Sequence, residues 1–521
     1  MAMREYGDVI ALDQRGAGAS RPDLDCDEPF AAPFDEPLHR SAVASMIAAE
    51  AKCAARPRRS GIDLAGYNTR ENAADLEDLR KALGADKIVL WGTSYGTHLA
   101  TAALRDYGPH IARVILLGVE GPDDTWKLPT DQQNLLEEIA RRAAADPVIH
   151  GRLPDFLASL KNVLAELEAR PKRVALVHPM NGRKLDVVVG KLDLRLLISQ
   201  LLTSPETFSG LPDLVSRLER GDWAALALLA ARQRAGEAPK AMPVAMDCAS
   251  GATEARRKRI AEEASRTLLG DAINLPYPDL CAALNVPDLG DAFRAPLKSE
   301  VPALLISGTL DGRTPPRQAG ELAAGMPKAV QVVIDGAGHS DPLFLSSPEI
   351  LVAIQEFMRA GKTSHTRIQV TPKRFDHRDG RGASGSNLGK IRRRLQGLAE
   401  GQAARPESGQ HPVHDSRRRR PADPDPPDLP HHVFRRRSAN AHPVRARHQR
   451  QGRGDGVHAG RRFGAARPET VTVRWSQASA VAVGDLRQRL ASDESRRIGG
   501  AFDLRLSRRR SRVRAPPAPP I

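Results

Sequence analysis

The stretch KIVLWGTSYGTHLA (residues 87–100) determines the predicted fold. It begins as an apolar run typical of a buried strand, breaks at Gly92, and continues as a helical pattern. The pentapeptide GTSYG (92–96) at this junction is a G-x-S-x-G motif. Such a serine stands on a tight strand-to-helix turn, where side chains on the flanking glycines would clash. The motif predicts Ser94 as an exposed nucleophile, with the Tyr95 amide directed at a developing oxyanion.

A serine hydroxyl needs a base, and that base needs an orienting acid. His339 follows the apolar run AVQVVI, and Asp311 follows PALLIS, so both lie where predicted strands end. Parallel sheets place their sites at this edge, which favours Ser94, Asp311 and His339 as one group. Asp335 and Asp341 are competing acids, but they lie too close to His339 in sequence to reach its far ring nitrogen.

The first part of the chain alternates strand and helix patterns. Residues 8–12, 87–91 and 112–118 are short apolar runs, and apolar residues in 73–83 recur at helical spacing before Gly84. This alternation predicts a parallel sheet covered by helices on both faces.

The alternation stops at about residue 125 and resumes near 296. Residues 125–295 contain helical patterns with few strand signals, so we interpret them as a helical insertion. Strand patterns return at 302–307 and 329–334. A last helix is predicted from Ser347, as N-cap, to about Ala360.

The net charge of +15 is unevenly distributed. Residues 361–521 hold 36 Lys and Arg against 14 Asp and Glu, whereas 1–360 hold 42 against 49. The basic part has no sustained period, so we expect 376–521 to be largely disordered. Its Arg runs at 417–420 and 435–437 suggest nucleic-acid binding, but they lack interleaved aromatics and any known module. We therefore expect no specific nucleic-acid partner.

The four cysteines are Cys26, Cys53, Cys248 and Cys281. No CxxC or Cys/His cluster is present, so no metal site is expected. They form two sequence-near pairs, and from the residues alone two disulfides or four thiols are both consistent. No run of about 20 apolar residues indicates a membrane span. No signal peptide pattern opens the sequence, so the localisation is left undetermined.

Four segments resemble the α/β-hydrolase superfamily: residues 8–22, 87–100, 302–316 and 333–344. More narrowly, DQRG-x-G-x-S followed by GTSYG is similar to the proline iminopeptidase and tripeptidyl aminopeptidase branch of the S33 serine peptidases. The resemblance covers about 1–375. It implies a hydrolase core, whose parallel sheet carries a helical cap.

The resemblance implies a cofactor-free serine hydrolase, with Ser94 as nucleophile, His339 as base and Asp311 as orienting acid. It implies release of residues from the N-termini of short peptides. The same triad also serves esterases, so a small ester is the alternative substrate. Glu120 and Asp123, after the third strand, would bind a substrate ammonium or form a solvated loop pair. The cysteine pairs resemble the disulfides of exported relatives.

The predicted domains are core (1–124), cap (125–295), core (296–375) and tail (376–521).

Relatives carry strands and an HGGPG-type loop before DQRG that this chain lacks, so we hypothesise an N-terminally truncated product. That loop supplies an oxyanion donor worth on the order of 10²–10³ in rate, which makes an inert product a further alternative. Residues 445–458 can be back-translated so that a one-base shift reads VRDTNGKVAEMVF. We therefore hypothesise an out-of-frame tail.

Overall fold

A computed structural model describes most of the first 377 residues and one later strand. The described residues are 2–26, 32–39, 43–177, 184–234, 240–339, 342–377 and 471–476. Across these ranges, no helix is both long enough and apolar enough to cross a membrane.

One sheet of seven strands forms the centre of the described core. In the order of the sheet, its strands are β1 (Asp8–Ala11), β9 (Val471–Ser476), β2 (Ile88–Thr93), β3 (Ile111–Leu117), β6 (Ala303–Gly308), β7 (Ala329–Asp335) and β8 (Arg367–Gln369). Every neighbouring pair is parallel. The carboxyl ends of all seven strands therefore lie at the same edge, as the alternation of strand and helix patterns predicts.

Helices of the core connect these strands. They are α1 (Val43–Arg59), α2 (Thr69–Ala82), α3 (Tyr95–Tyr107), α15 (Pro316–Ala323), α16 (Pro342–Leu345) and α17 (Pro348–Ala360). The predicted ends of α2 and α17 are confirmed. Gly84 follows α2 with a φ of +63°, and the Ser347 side chain caps α17 by accepting from the Glu349 amide.

Both faces of the sheet are buried at its central strands β2, β3 and β6, as their apolar runs predict. The apolar run at 8–12 predicts a buried strand as well, but β1 is largely exposed because it lies at the edge of the sheet. In β2, Leu90 packs with Leu99 of α3 on one face. Val89 packs with Phe357 of α17 on the other face. Phe357 is fully buried, so its truncation to alanine would cost about 3–5 kcal/mol. This two-sided packing holds the strands that carry the candidate site residues.

A helical cap lies between β3 and β6. Its helices are α4 (Pro129–Ala145), α5 (Pro147–Arg152), α6 (Phe156–Ala169), α7 (Lys191–Leu201), α8 (Pro205–Phe208), α9 (Leu211–Glu219), α10 (Ala224–Arg234), α11 (Ala241–Ser250), α12 (Glu254–Ala264), α13 (Asp279–Leu284) and α14 (Asp291–Arg294). The cap also contains an antiparallel hairpin of β4 (Lys172–Val177) and β5 (Lys184–Val189). This hairpin was not predicted from the sequence. Half-buried and exposed side chains alternate along β4, so the strand has no continuous apolar run.

Strand β9 departs from the expectation for the tail. It lies between β1 and β2, with Val471 beside Asp8 and Ser476 beside Thr93. The basic composition predicts disorder over most of 376–521. The structure differs from that prediction at these six residues, which form a strand. Val, Thr and Trp favour strands, but one short run of them among arginines and prolines is too weak a pattern to predict a strand. Residues 378–470 and 477–521, including both Arg runs, lie outside the described residues.

Candidate active site

Ser94 occupies the strained turn that its motif predicts. Strand β2 ends at Thr93 and α3 begins at Tyr95, which leaves Ser94 alone at the junction with φ 55° and ψ −126°. A side chain with positive φ is strained unless its surroundings enforce it. The surroundings do so here, because a Cβ on Gly92 would lie 2.4 Å from the Gly96 carbonyl oxygen. Only glycine at residue 92 allows the turn to close.

Three side chains from three strand ends meet beside this turn. The Oγ of Ser94 lies 2.8 Å from the Nε2 of His339, and the Nδ1 of His339 lies 2.9 Å from the Oδ2 of Asp311. A carboxylate can only accept, so Nδ1 carries the imidazole proton and Nε2 is left to accept from Ser94. The structure thus brings together all three residues that the sequence analysis selected.

Asp311 is held as an anion despite its burial. Its Oδ1 accepts from the Arg313 and Thr314 amides at 2.8 Å each, and its Oδ2 also accepts from the Thr314 hydroxyl at 2.6 Å. Burial alone would raise its pKa, but His339 and these hydrogen bonds outweigh burial and hold the pKa below its ordinary value. Of the competing acids, Asp335 bonds to Arg367, and residue 341 lies outside the described ranges.

Tyr95, the predicted oxyanion donor, is the first residue of α3. Its amide is the first of that helix, so the helix itself provides no acceptor for it. The neighbouring Ser94 amide is already bonded to the Leu117 carbonyl at 2.9 Å. The Tyr95 N–H thus remains a candidate oxyanion donor.

The two predicted ammonium ligands have different surroundings. Glu120 is buried, and its carboxylate bonds to the Lys127 ammonium at 2.5 Å. Asp123 accepts from the amide and hydroxyl of Thr253 at 2.8 and 2.7 Å, which attaches it to the start of α12. Each carboxylate therefore already has an internal partner.

A chain of hydrogen bonds beneath the turn was missed by the sequence analysis. His98 is fully buried, and its Nδ1 must donate to the Gly121 carbonyl at 2.9 Å. The His98 Nε2 then accepts from the Ser250 hydroxyl at 3.2 Å. The Oγ of Ser250 also lies 2.9 Å from the Thr69 hydroxyl. The Thr69 hydroxyl lies 3.1 Å from that of Tyr95. Burial lowers the pKa of His98 and so favours its neutral form. The hydrogen bond between His98 and Ser250 ties α3 to cap helix α11.

A second missed feature is a group of acids beside the site. Asp247 of α11 accepts from the Tyr277 hydroxyl at 2.9 Å. Burial, followed by repulsion from Glu120, raises the pKa of Asp247 to about 7. Burial also raises the pKa of Glu50 to about 7. Burial and both of these acids raise the pKa of Tyr277, so the three groups lie near one another. Neither Glu50 nor Asp247 belongs to a sequence motif, and only the folded chain shows this group.

Both cysteine pairs form disulfides, as the resemblance implies. Cys26 is joined to Cys53, and Cys248 to Cys281. The second bond connects α11, which carries Asp247, to α13. Within the described ranges, no group of three or more His, Cys, Asp or Glu side chains is arranged to hold a metal ion.

Comparison with known proteins agrees with this architecture. A family model described as the alpha/beta hydrolase fold matches residues 7–151, and one described as TAP-like protein matches 270–369. Together they cover the strands that carry Ser94, Asp311 and His339. The chain has the α/β-hydrolase fold. Its parallel sheet and its serine turn are features of that fold.

Two curated relatives are peptidases by name, and one of them is named as a serine protease. Tripeptidyl aminopeptidase of Streptomyces lividans is 25% identical over 401 residues, covering 70% of each chain. Serine protease Hip1 of Mycobacterium tuberculosis is 26% identical over 381 residues, covering 65% of this chain and 70% of its own. A thermophilic esterase from Thermogutta terrifontis is 20% identical over 57% of this chain and 74% of its own, with a TM-score of 0.23. The two curated relatives support a hydrolase of serine-peptidase type.

Proposed function

We propose that this chain is a serine peptidase that releases residues from the N-termini of short peptides through an acyl-enzyme. The observation that carries the proposal is the continuous set of hydrogen bonds from Ser94 through His339 to Asp311, at 2.8 and 2.9 Å. This order of groups is the one that activates a serine hydroxyl.

In this proposal each group has a distinct role. As the Ser94 Oγ attacks the scissile carbonyl carbon, its proton passes to the His339 Nε2, and Asp311 stabilises the resulting imidazolium. The carbonyl oxygen becomes an oxyanion that accepts from the Tyr95 amide. His339 then gives its proton to the leaving amine, which leaves an ester on Ser94. Water deprotonated by the same Nε2 hydrolyses that ester and restores the serine.

The acids next to the site favour a substrate with a free amino group. Lys127 already neutralises Glu120, so Asp247 is the carboxylate available for an added cation. Asp247 and Glu120 both act electrostatically on Tyr95, the residue next to the nucleophile. A substrate ammonium beside Asp247 would favour its charged form. The name of one curated relative, tripeptidyl aminopeptidase, points to the same substrate class, peptides with a free N-terminus.

The test compares tripeptide nitroanilides with free and acetylated N-termini, together with nitrophenyl esters. We expect the free tripeptide to be preferred and Ser94→Ala to reduce its turnover by at least about 10⁴-fold. We expect Asp247→Asn to raise KM for the free peptide by about 10- to 100-fold, because a charge-assisted bond is lost. The acetylated peptide should be unaffected by that change.

Asp123→Asn is the matched control, because Asp123 bonds to Thr253 and is not expected to contact the substrate. Turnover of esters but of no peptide, with dependence on Ser94, would replace the proposal by the esterase alternative. Turnover that is unchanged in Ser94→Ala would refute both.

A further inference from the structure

We infer that the Thr314 hydroxyl is a positioning group of this site, which fixes the tautomer of His339 and the orientation of Asp311. This inference rests on the proposed function. Thr314 lies on the loop after β6, three residues beyond Asp311, and is not part of the G-x-S-x-G motif.

The contacts of Thr314 join it to both members of the charge pair. Its side chain is fully buried, and its Oγ1 lies 2.6 Å from the Asp311 Oδ2 and 2.9 Å from the His339 Nδ1. Its amide donates to the other oxygen, Oδ1, at 2.8 Å. The one residue thus contacts both carboxylate oxygens and the ring nitrogen that faces them.

The protons in this group can be assigned by elimination. A threonine hydroxyl has one proton, and a carboxylate only accepts, so that proton lies on the bond to the Asp311 Oδ2. The lone pairs of Oγ1 then face the His339 Nδ1, which must be the donor. If the ring proton moved to Nε2, Nδ1 would face two oxygens without a proton between them. Thr314 therefore disfavours the His339 tautomer with its proton on Nε2, which could not accept a hydrogen bond from Ser94.

The surroundings leave room for this hydroxyl and restrict its rotation. A Cβ on Gly118 would lie 3.0 Å from the Thr314 Oγ1 and 3.4 Å from the His339 Cε1. The β-branched threonine has few accessible rotamers in such a site. A serine at this position would keep the hydroxyl but lose the methyl group that limits its rotation.

The test compares Thr314→Val, Thr314→Ser and the matched control Thr101→Val in the full chain. Thr101 is also buried, and its hydroxyl bonds to the His98 carbonyl at 2.7 Å. One readout is the rate at which a fluorophosphonate labels Ser94. The other is the downfield proton NMR resonance of the His339 Nδ1–H, which reports on the hydrogen bonds of that proton without any substrate.

We expect labelling to slow by about 10- to 100-fold in Thr314→Val and to recover largely in Thr314→Ser. The Nδ1 proton resonance should change position in Thr314→Val, and by more than in Thr101→Val. Wild-type labelling rates and an unshifted resonance in Thr314→Val would overturn the inference. If the wild-type chain is not labelled at all, the proposed function fails, and the resonance alone decides the role of Thr314.

Discussion

Replacing Glu50 by glutamine is expected to stabilise the protein at neutral and alkaline pH. Glu50 lies on α1 with 9% of its surface exposed, and its Oε2 is buried with no hydrogen-bond partner in the described part of the chain. Burial raises the pKa of this carboxyl from 4.5 to about 7, against the opposing effect of a hydrogen bond from the Lys240 amide. Glutamine has the same shape and carries no charge.

The sign and size of the effect follow from the shifted pKa. Because the folded state binds the proton more tightly, its stability is greatest below the unfolded pKa of 4.5 and falls as the pH rises towards 7. The full shift corresponds to about 3 kcal/mol. The advantage of Glu50→Gln should therefore grow from under about 1 kcal/mol at pH 5 to about 3 kcal/mol at pH 8.

Urea unfolding followed by tryptophan fluorescence at both pH values measures this difference. The matched control is Glu219→Gln, which changes an exposed carboxylate at the end of α9 and should change stability by less than about 0.5 kcal/mol at either pH. An equal effect of Glu50→Gln at pH 5 and pH 8 would refute the reasoning, since the benefit would then not come from removing a buried charge.

Three further perturbations test other parts of the structure. Gly118→Ala should slow fluorophosphonate labelling at least tenfold. The added Cβ would lie 3.0 Å from the Thr314 hydroxyl, and the φ of +62° at residue 118 disfavours a side chain. Unchanged labelling would contradict this expectation. Breaking the Cys248–Cys281 bond with a double serine variant should lower the urea unfolding free energy by about 3–4 kcal/mol, as expected for a loop of this length. Val473→Pro removes a backbone donor from the middle of β9 and should lower the melting temperature sharply; a wild-type melting curve would show that β9 contributes nothing to the sheet.

The sequence predicted the candidate triad because each member has its own local signal. Ser94 lies in a glycine-bounded motif, while Asp311 and His339 each follow an apolar run of strand length. In a parallel sheet, strand ends share one edge, so placing the strands was enough to place the side chains. The ends of α2 and α17 were predicted for a similar reason, since Gly84 and Ser347 are strong end signals.

Other features depend on contacts that no local pattern encodes. Glu50 lies on core helix α1, whereas Asp247 and Tyr277 belong to the cap, and only the folded chain brings them together. The hydrogen bonds that link Tyr95 to His98 likewise pass through residues of other segments. Glu120 and Asp123 were selected from their place after a strand, but the partners that occupy them, Lys127 and Thr253, could not be assigned from spacing.

The position of β9 has a consequence for the order in which this protein matures on the ribosome. Strands β1 and β2 each pair with β9, yet β9 follows β2 by roughly 380 residues, which takes about 20–80 s to synthesise. During that interval both strands present open edges, which attract other extended chains. Slow elongation or a shortage of chaperones should therefore reduce the soluble yield of this protein more than that of a hydrolase whose neighbouring strands are consecutive.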